Sequence, residues 1–365
     1  MQLFYQLVHV DFVPLITILY LFIFMRANDA YDHKINERFT LSLVLLALLV
    51  ISDNIDFYCS GLERPLLVRK LAIMAGYILR VYLLMTSVYI LRRNRMKKAE
   101  MLLLATPAIL NTVVILTAFV STRVFWLDEH NVLHREALSY APHLLALSYF
   151  FIVLLFAIIR YGRGHREEGL MLFLSLAGVT LGVVGEILLK TRGLLVGAIS
   201  LMLAFYYLYL HIEHFKRDNL TGALNRMTFF ADVQKFKPEQ ITAFCEFDLN
   251  DLKAINDSKG HAAGDEAIVT TANIILRCLP RRSYLYRLGG DEFGVLFCNS
   301  RFETVTHAID RIRAEFEKTP YTCAIGTAAW EKDKEFTEIY NLADKRMYID
   351  KERLKKSQGV KEENA

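Results

Sequence analysis

The sequence predicts two structural classes in one chain: an all-α bundle of seven transmembrane helices over residues 1–213, and a cytoplasmic α/β domain over residues 214–365. Three observations carry this. The 365 residues are 54% hydrophobic and only 22% charged, with a mean hydropathy of +0.27, which is more apolar than an ordinary soluble protein. The excess is confined to the first part, because the long apolar runs stop near residue 213 and from Lys216 the composition is that of a soluble domain. From Asp218 onward, strand-like and helix-like periods alternate. The length also fits two domains of about 150 residues each.

A helix crossing a bilayer needs roughly 20 mostly apolar residues. Seven runs meet or approach that length, at 4–25, 39–58, 66–91, 101–121, 138–159, 170–189 and 194–212. The first reads as a retained helix rather than a signal peptide, since no Lys or Arg precedes it and no small-residue cleavage site follows. Short cytoplasmic loops collect Lys and Arg. With the C-terminal domain inside, seven spans place the N-terminus outside. The inner loops then hold Arg26, Lys34, Arg38, Arg92, Arg93, Arg95, Lys97, Lys98, Arg160, Arg163 and Arg166. The outer loops hold Arg64, Arg69, Lys70, Arg123, Arg135, Lys190 and Arg192. The bias is modest, and 91–98 is its strongest local stop. A net charge of +4 is explained by such topology signals rather than by a nucleic-acid-binding patch.

Ionisable residues inside spans are costly and often functional. Arg80 falls near the middle of the third span, Asp53 and Asp56 toward the outer end of the second, and Glu186 toward the outer end of the sixth. They read either as a polar cluster opening outward to a small ligand, or as ion pairs that fix helix packing. Asp56 fits the packing reading; for Arg80 and Asp53 both readings stand. The outer loop 122–137 offers Trp126, Asp128, Glu129, His130 and His134, although interfacial Trp and solvated charge are expected there in any case. After the last span the chain enters the second domain through 211–218 with no heptad stalk and no Gly/Ser linker. A helix continuing outward there would transmit rotation or sliding of the last span, and 206–209 reads equally as an aromatic belt.

In the second domain the periodicities predict a helix at 226–236, a strand at 241–247 ending on Asp248, a long helix at 262–279, strands at 284–288 and 293–298, a helix at 302–317, a strand at 321–330 and a last helix at 336–355. The two middle strands are joined by Gly289-Gly290-Asp291-Glu292, with glycines where a hairpin turn needs positive φ. This pattern predicts helices packed on a mixed sheet. Five cysteines (Cys59, Cys245, Cys278, Cys298 and Cys323) form no Cys-x-x-Cys pair, and four lie in the cytoplasmic part. No disulfide and no zinc site is expected. There is no internal repeat.

Asp248 closes one strand, and Asp291-Glu292 sits at the hairpin tip. If those strands are neighbours, three carboxylates converge at one sheet edge. Magnesium is usually held by one or two carboxylates plus substrate phosphates, and Gly289 and Gly290 leave the backbone open to a phosphate. Together these point to nucleotidyl transfer; each alone reads as a solvated acidic turn.

The full strings add a resemblance. Arg287-Leu-Gly-Gly-Asp-Glu-Phe293 carries the signature for which the GGDEF family of diguanylate cyclases is named. Asp218-Asn-Leu-Thr-Gly-Ala-Leu-Asn-Arg226 resembles the family's opening motif, and Phe247-Asp-Leu-Asn-Asp-Leu-Lys-Ala-Ile-Asn-Asp257 its metal-and-base segment. Gly260-His-Ala-Ala-Gly-Asp265, Ala324-Ile-Gly326 and Ala343-Asp-Lys-Arg-Met-Tyr348 follow in the family order. The resemblance covers 218–355. It implies magnesium on Asp248, Asp291 and the Leu249 carbonyl, with Glu292 as a further ligand or as the base for a ribose hydroxyl. It also implies guanine reading by Asn256 and Asp265, and GTP contacts from His261, Lys253, Gly289, Gly290, Lys351 and Lys355. The implied activity is condensation of two GTP into cyclic di-GMP by a homodimer on a bacterial inner membrane. An ionised Asp265 suits guanine, whose N1–H and N2–H are donors, and would repel the acceptor at adenine N1.

Two departures from the family stand out. An Arg-x-x-Asp motif for product inhibition is replaced by Pro280 and Ser283 around Arg281 and Arg282, so feedback through it is expected to be absent. The usual Gly-Arg-Asn ending is missing, and Lys355 stands where arginine is expected. For Lys351 and Lys355 the competing reading is a solvated basic helix face. For the whole chain it is a GTP-binding receptor without turnover; a transporter reading finds no broken-helix pattern.

Overall fold

A computed structural model describes residues 10–27, 33–92, 96–162, 166–189, 191–331 and 334–363. It divides into two compact units, Met1–His211 and Ile212–Ala365.

The first unit is helical: α1 (Phe12–Ala27), α2 (His33–Ser60), α3 (Leu67–Leu91), α4 (Lys98–Leu116), α5 (Ala141–Gly162), α6 (Arg166–Leu189) and α7 (Leu194–Phe215), the last running four residues past His211. Among the described residues, six of these are long and apolar enough to cross a membrane, and α1 is a shorter apolar helix. The expected count of seven is therefore not established. The first expected run begins within residues 1–9, which lie outside the described residues, as do Arg93, Arg95, Arg163 and Lys190 of the loop charges.

Helix α3 is the central one, packed against α2, α4 and α5. Polar side chains fasten it at both ends. At one end Arg38 of α2 donates to the carbonyls of Tyr89 and Arg92 and lies 4.4 Å over the Tyr89 ring. At the other, buried Arg69 pairs with Asp56 at 3.0 Å and donates to Asn131. The loop 122–137 is not open coil. It forms a hairpin of β1 (Phe125–Leu127) and β2 (Leu133–Arg135). Trp126 stacks on His134, His134 contacts Asp128 at 2.8 Å, and Asn131 donates to the Cys59 and Leu62 carbonyls. Its polar residues serve the local fold.

The second unit contains β3 (Leu224–Asn225), α8 (Arg226–Lys235), β4 (Ile241–Leu249), α9 (Leu252–Lys259), α10 (His261–Cys278), β5 (Ser283–Arg287), β6 (Glu292–Cys298), α11 (Phe302–Phe316), β7 (Cys323–Ala329) and α12 (Phe336–Glu363). The sheet order is β3-β5-β6-β4-β7. It is mixed, as expected: β3 runs parallel to β5 and every other pair is antiparallel. Side chains alternate across the central strand. Ala243, Cys245, Phe247 and Leu249 enter a core with α10 and α11. Phe244 faces the opposite core, with Phe229 of α8 and Ile339 and Ala343 of α12. Asp248 shares the second face, and so its carboxylate meets α12.

The eight expected elements are present with ends shifted by one or two residues, except that the last helix runs on to Glu363 rather than stopping at 355. The sequence reading missed α9, an eight-residue helix whose N-cap Asp251 is left-handed (φ 61°) and which stops at Gly260 (φ 83°). It missed the two-residue β3, too short to carry a period. All five cysteines are free and buried.

Candidate active site

Strand pairing builds the site. In the β4–β6 register Asp248 lies directly opposite Glu292, and in β4–β7 it lies opposite Ala324. Asp291 immediately precedes β6, and its carbonyl accepts from Leu249 N at 3.1 Å, which locks the end of β4 to the hairpin. Three carboxylates predicted from sequence to share an edge are thus neighbours. Their charges register it. Burial pushes the Glu292 carboxyl up, and the nearby Asp291 and Asp248 push it further. Burial likewise raises Asp248; the Lys351 ammonium offsets part of this, and Asp291 adds to the rise.

The hairpin glycines are placed for a different reason from the one expected. Neither Gly289 nor Gly290 adopts positive φ. A Cβ on Gly289 would sit 2.7 Å from Glu292 Oε2, whereas one on Gly290 would meet nothing within 4 Å. Gly289 makes room for the acid, and Gly290 leaves an open backbone. Arg287 holds both: its Nη2 donates to Gly290 O at 2.8 Å and its Nε to Gly289 O at 3.2 Å. Its Nη1 meets both oxygens of Asp218, at 3.1 and 3.2 Å. The opening motif is therefore tied to the signature hairpin by one ion pair, a role the sequence reading did not assign.

Lys351 Nζ lies 2.6 Å from Asp248 Oδ1. The reading of Lys351 as part of a solvated basic face is overturned, because α12 lies on the Asp248 side of the sheet. Lys355 is exposed, 3.7 Å from Glu352, and still within electrostatic reach of Asp248. On the opposite flank, Asn256 near the end of α9 lies against Gly264, where any Cβ would collide with the Asn256 amide. This places Asn256 beside Asp265, which is exposed one residue further along α10. Lys253 on α9 and His261 at the start of α10 are also exposed.

One acid escaped the sequence reading. Glu246, two residues before Asp248 on the same face of β4, is 2% exposed. Its Oε1 accepts from the Tyr340 hydroxyl at 3.0 Å, while Oε2 has no partner among the described residues. Burial pushes its carboxyl up to about 7, against the Tyr340 hydrogen bond and with help from Asp344, Glu292 and Asp248. An acidic residue inside an apolar strand run was the available signal.

Among the described residues no group of three or more His, Cys, Asp or Glu side chains is arranged to hold a metal. Magnesium does not need such a cage, because it keeps waters and takes substrate phosphates beside one or two carboxylates. The donors fit it: all are hard oxygens, and the repulsion from Asp291 and Asp248 that adds to burial in raising Glu292 is what a cation between them relieves.

Residues 208–357 match the family model described as "Diguanylate cyclase, GGDEF domain". A probable diguanylate cyclase, DgcT of Escherichia coli K12, is 33% identical over 151 residues, 37% of this chain and 33% of that protein. A diguanylate cyclase of Vibrio cholerae is 28% identical over 144 residues, 36% of this chain and 45% of that protein. A cyclic di-GMP phosphodiesterase, PdeB of Shewanella oneidensis, is 38% identical over 99 residues, 27% of this chain and 12% of that protein. The chain spans less than half the length of each of these curated relatives. A crystal structure of the coiled coil and GGDEF domain of Caulobacter crescentus DgcB, in complex with c-di-GMP, aligns with a TM-score of 0.38 at 21% identity over 40% of this chain and 86% of that one. The family match and the named diguanylate cyclases together support a GGDEF domain of the diguanylate cyclase type in residues 208–357.

Proposed function

We propose that the chain is a diguanylate cyclase of a bacterial inner membrane that condenses two GTP into cyclic di-GMP. The observation that carries this is the cross-strand pair Asp248–Glu292 with Asp291 beside it and Lys351 on Asp248. In this reading Asp248, Asp291 and the Leu249 carbonyl hold magnesium, with Glu292 as a further ligand or as the base for the ribose hydroxyl. The metal would supply charge stabilisation at the reacting phosphate and a lower pKa for the attacking hydroxyl. The open backbone at Gly289 and Gly290, with Lys351 and Lys355, receives the phosphates; His261 and Lys253 face the same substrate. Asn256 and Asp265 accept the guanine N–H groups. The 3′-hydroxyl of each GTP attacks the α-phosphate of the other, and each attack expels pyrophosphate. One such edge binds one GTP, so two chains face each other as a homodimer. The N-terminal helices place the domain on the cytoplasmic side and receive the signal.

The Lys351–Asp248 pair favours one alternative, a receptor that binds GTP without turning it over, since a protein cation already neutralises Asp248. Pyrophosphate release separates the two. With magnesium present, the enzyme yields one pyrophosphate per GTP and none from ATP. Asp265→Asn should weaken GTP binding about 10- to 100-fold, the worth of a charge-assisted hydrogen bond. GTP binding without pyrophosphate from any dimeric preparation would establish the receptor.

A further inference from the structure

The ionisable residues that the sequence places within the spans have partners inside the first unit. Arg80 Nη2 donates to both oxygens of Asp53, at 2.9 and 2.7 Å. Asp56 pairs with Arg69 and Arg192, and Glu186 accepts from Leu195 N at 3.0 Å. A cavity between α3, α5, α6 and α7 is what neither this packing nor the proposed activity uses.

The cavity has a volume of about 40 Å³. It lies beside two turns of α3, from Leu84 to Leu91, and two turns of α6, from Leu172 to Val179, roughly 10 Å at 1.5 Å per residue. So small a volume over that length makes a narrow slot, which suits a chain rather than a ring. None of the residues that line it is exposed, so it belongs to the interior of the bundle. Its hydroxyls are spent elsewhere. Ser87 donates to the Leu83 carbonyl at 3.1 Å, Ser175 to the Met171 carbonyl at 2.8 Å, Tyr149 to the Leu104 carbonyl at 2.7 Å and Tyr206 to Glu168 at 3.2 Å. Buried water needs several polar partners, and an apolar cavity stays dry. Left empty, the walls lose dispersion contacts that an apolar chain would restore.

The slot is closed at both ends. Near their connection α6 and α7 meet through main chain: a Cβ on Gly182 would stand 3.0 Å from the Leu194 carbonyl oxygen and 3.2 Å from Leu195 Cα. At the far end buried Glu168 accepts from Tyr206 and pairs with Arg160 at 3.5 Å. Between these closures Ser175 and Val179 of α6 and Met202 of α7 are half-buried, which puts the opening along the side, between the two helices. Their neighbours Leu174 and Leu201 are exposed, on helices long and apolar enough to cross a membrane, so that side faces lipid. We propose that the slot binds one acyl chain of a bilayer lipid, which enters sideways between α6 and α7 and leaves its headgroup outside.

The test uses the full chain in lipid nanodiscs containing a phospholipid with a diazirine in the middle of one acyl chain. Illumination expels dinitrogen, and the carbene that remains inserts into a neighbouring C–H or O–H bond. Peptide mapping then locates the adducts. They are expected on Met202 and Tyr206 inside the slot as well as on exposed Leu174 and Leu201. In Ser175→Leu and Val179→Phe, which fill the slot, labelling of Met202 and Tyr206 should fall several-fold. Leu174 and Leu201 should label as before, which shows that these variants keep the fold. Ser175→Ala leaves the space open and should label like the wild type. Adducts confined to exposed residues would overturn the inference, as would equal labelling of Met202 and Tyr206 in the wild type and both filled variants. Labelling of the slot by a diazirine-bearing alkane without a headgroup, but not by the phospholipid, would overturn the assignment to a bilayer lipid. None of these readouts depends on nucleotide turnover.

Discussion

Like charges directly opposite each other on neighbouring strands are unfavourable, and Asp248 and Glu292 are such a pair with Asp291 adjoining. Lys351 stands on Asp248 in place of an external cation. Its removal should have opposite effects on two ligands: Lys351→Met is predicted to tighten manganese binding without nucleotide several-fold, because a competing cation is gone, and to weaken GTP binding. Titration calorimetry with each ligand measures both, and weaker manganese binding would contradict the account. Asp218 gives the pH prediction. Burial raises its carboxyl, but the two Thr221 hydrogen bonds and Arg287 outweigh that, and the net shift is downward from 3.8. A depressed carboxyl contributes stability that is fully present above its unfolded value of 3.8 and is lost as pH falls through the lower folded value. Asp218→Asn should therefore cost about 1 kcal/mol at neutral pH, with the two proteins converging in strong acid. Denaturant melts of both across pH check this. At this scale the sequence carried the motif positions, since residue type and order suffice for them. It did not carry the Lys351 partner, the Arg287–Asp218 tie or the buried Glu246, because each depends on which elements lie face to face.

The elements of the second unit were legible wherever a period had room to repeat, as in β4, α10 and α11. They were not legible where two or eight residues had to suffice, as in β3 and α9; in the first unit the β1–β2 hairpin, a loop folded through side-chain bonds, was not legible either. Gly326 shows what spacing alone conceals. A Cβ there would run into the Ala343 carbonyl and the Met347 amide of α12, so β7 and α12 touch through main chain. Gly326→Ala should destabilise the unit by about 3 kcal/mol, the upper range for overpacking where no flexible side chain can yield. Because α12 carries Lys351, nucleotide affinity should fall with it. Equilibrium unfolding that leaves the midpoint unchanged would mean the helix is seated less closely.

For the molecule as a whole, composition separated an apolar bundle from an α/β unit, and the division falls at His211/Ile212 against an expected 213/214. The number of spans was the weaker inference: six helices satisfy length and apolarity, while α1 has 16 described residues. Buried Arg38 and Arg69 and half-buried Arg80 show that charge in this bundle also lies within the helices α2 and α3, not in the loops alone. A tally of loop charges cannot make that distinction. The central claim concerns the chemistry of the Asp248–Asp291–Glu292 edge, and one measurement meets it directly: chromatography of the nucleotides formed when the detergent-purified full chain is incubated with magnesium and GTP. The account predicts cyclic di-GMP from the wild type and none from Asp291→Ala with its fold intact; equal product from both would contradict it.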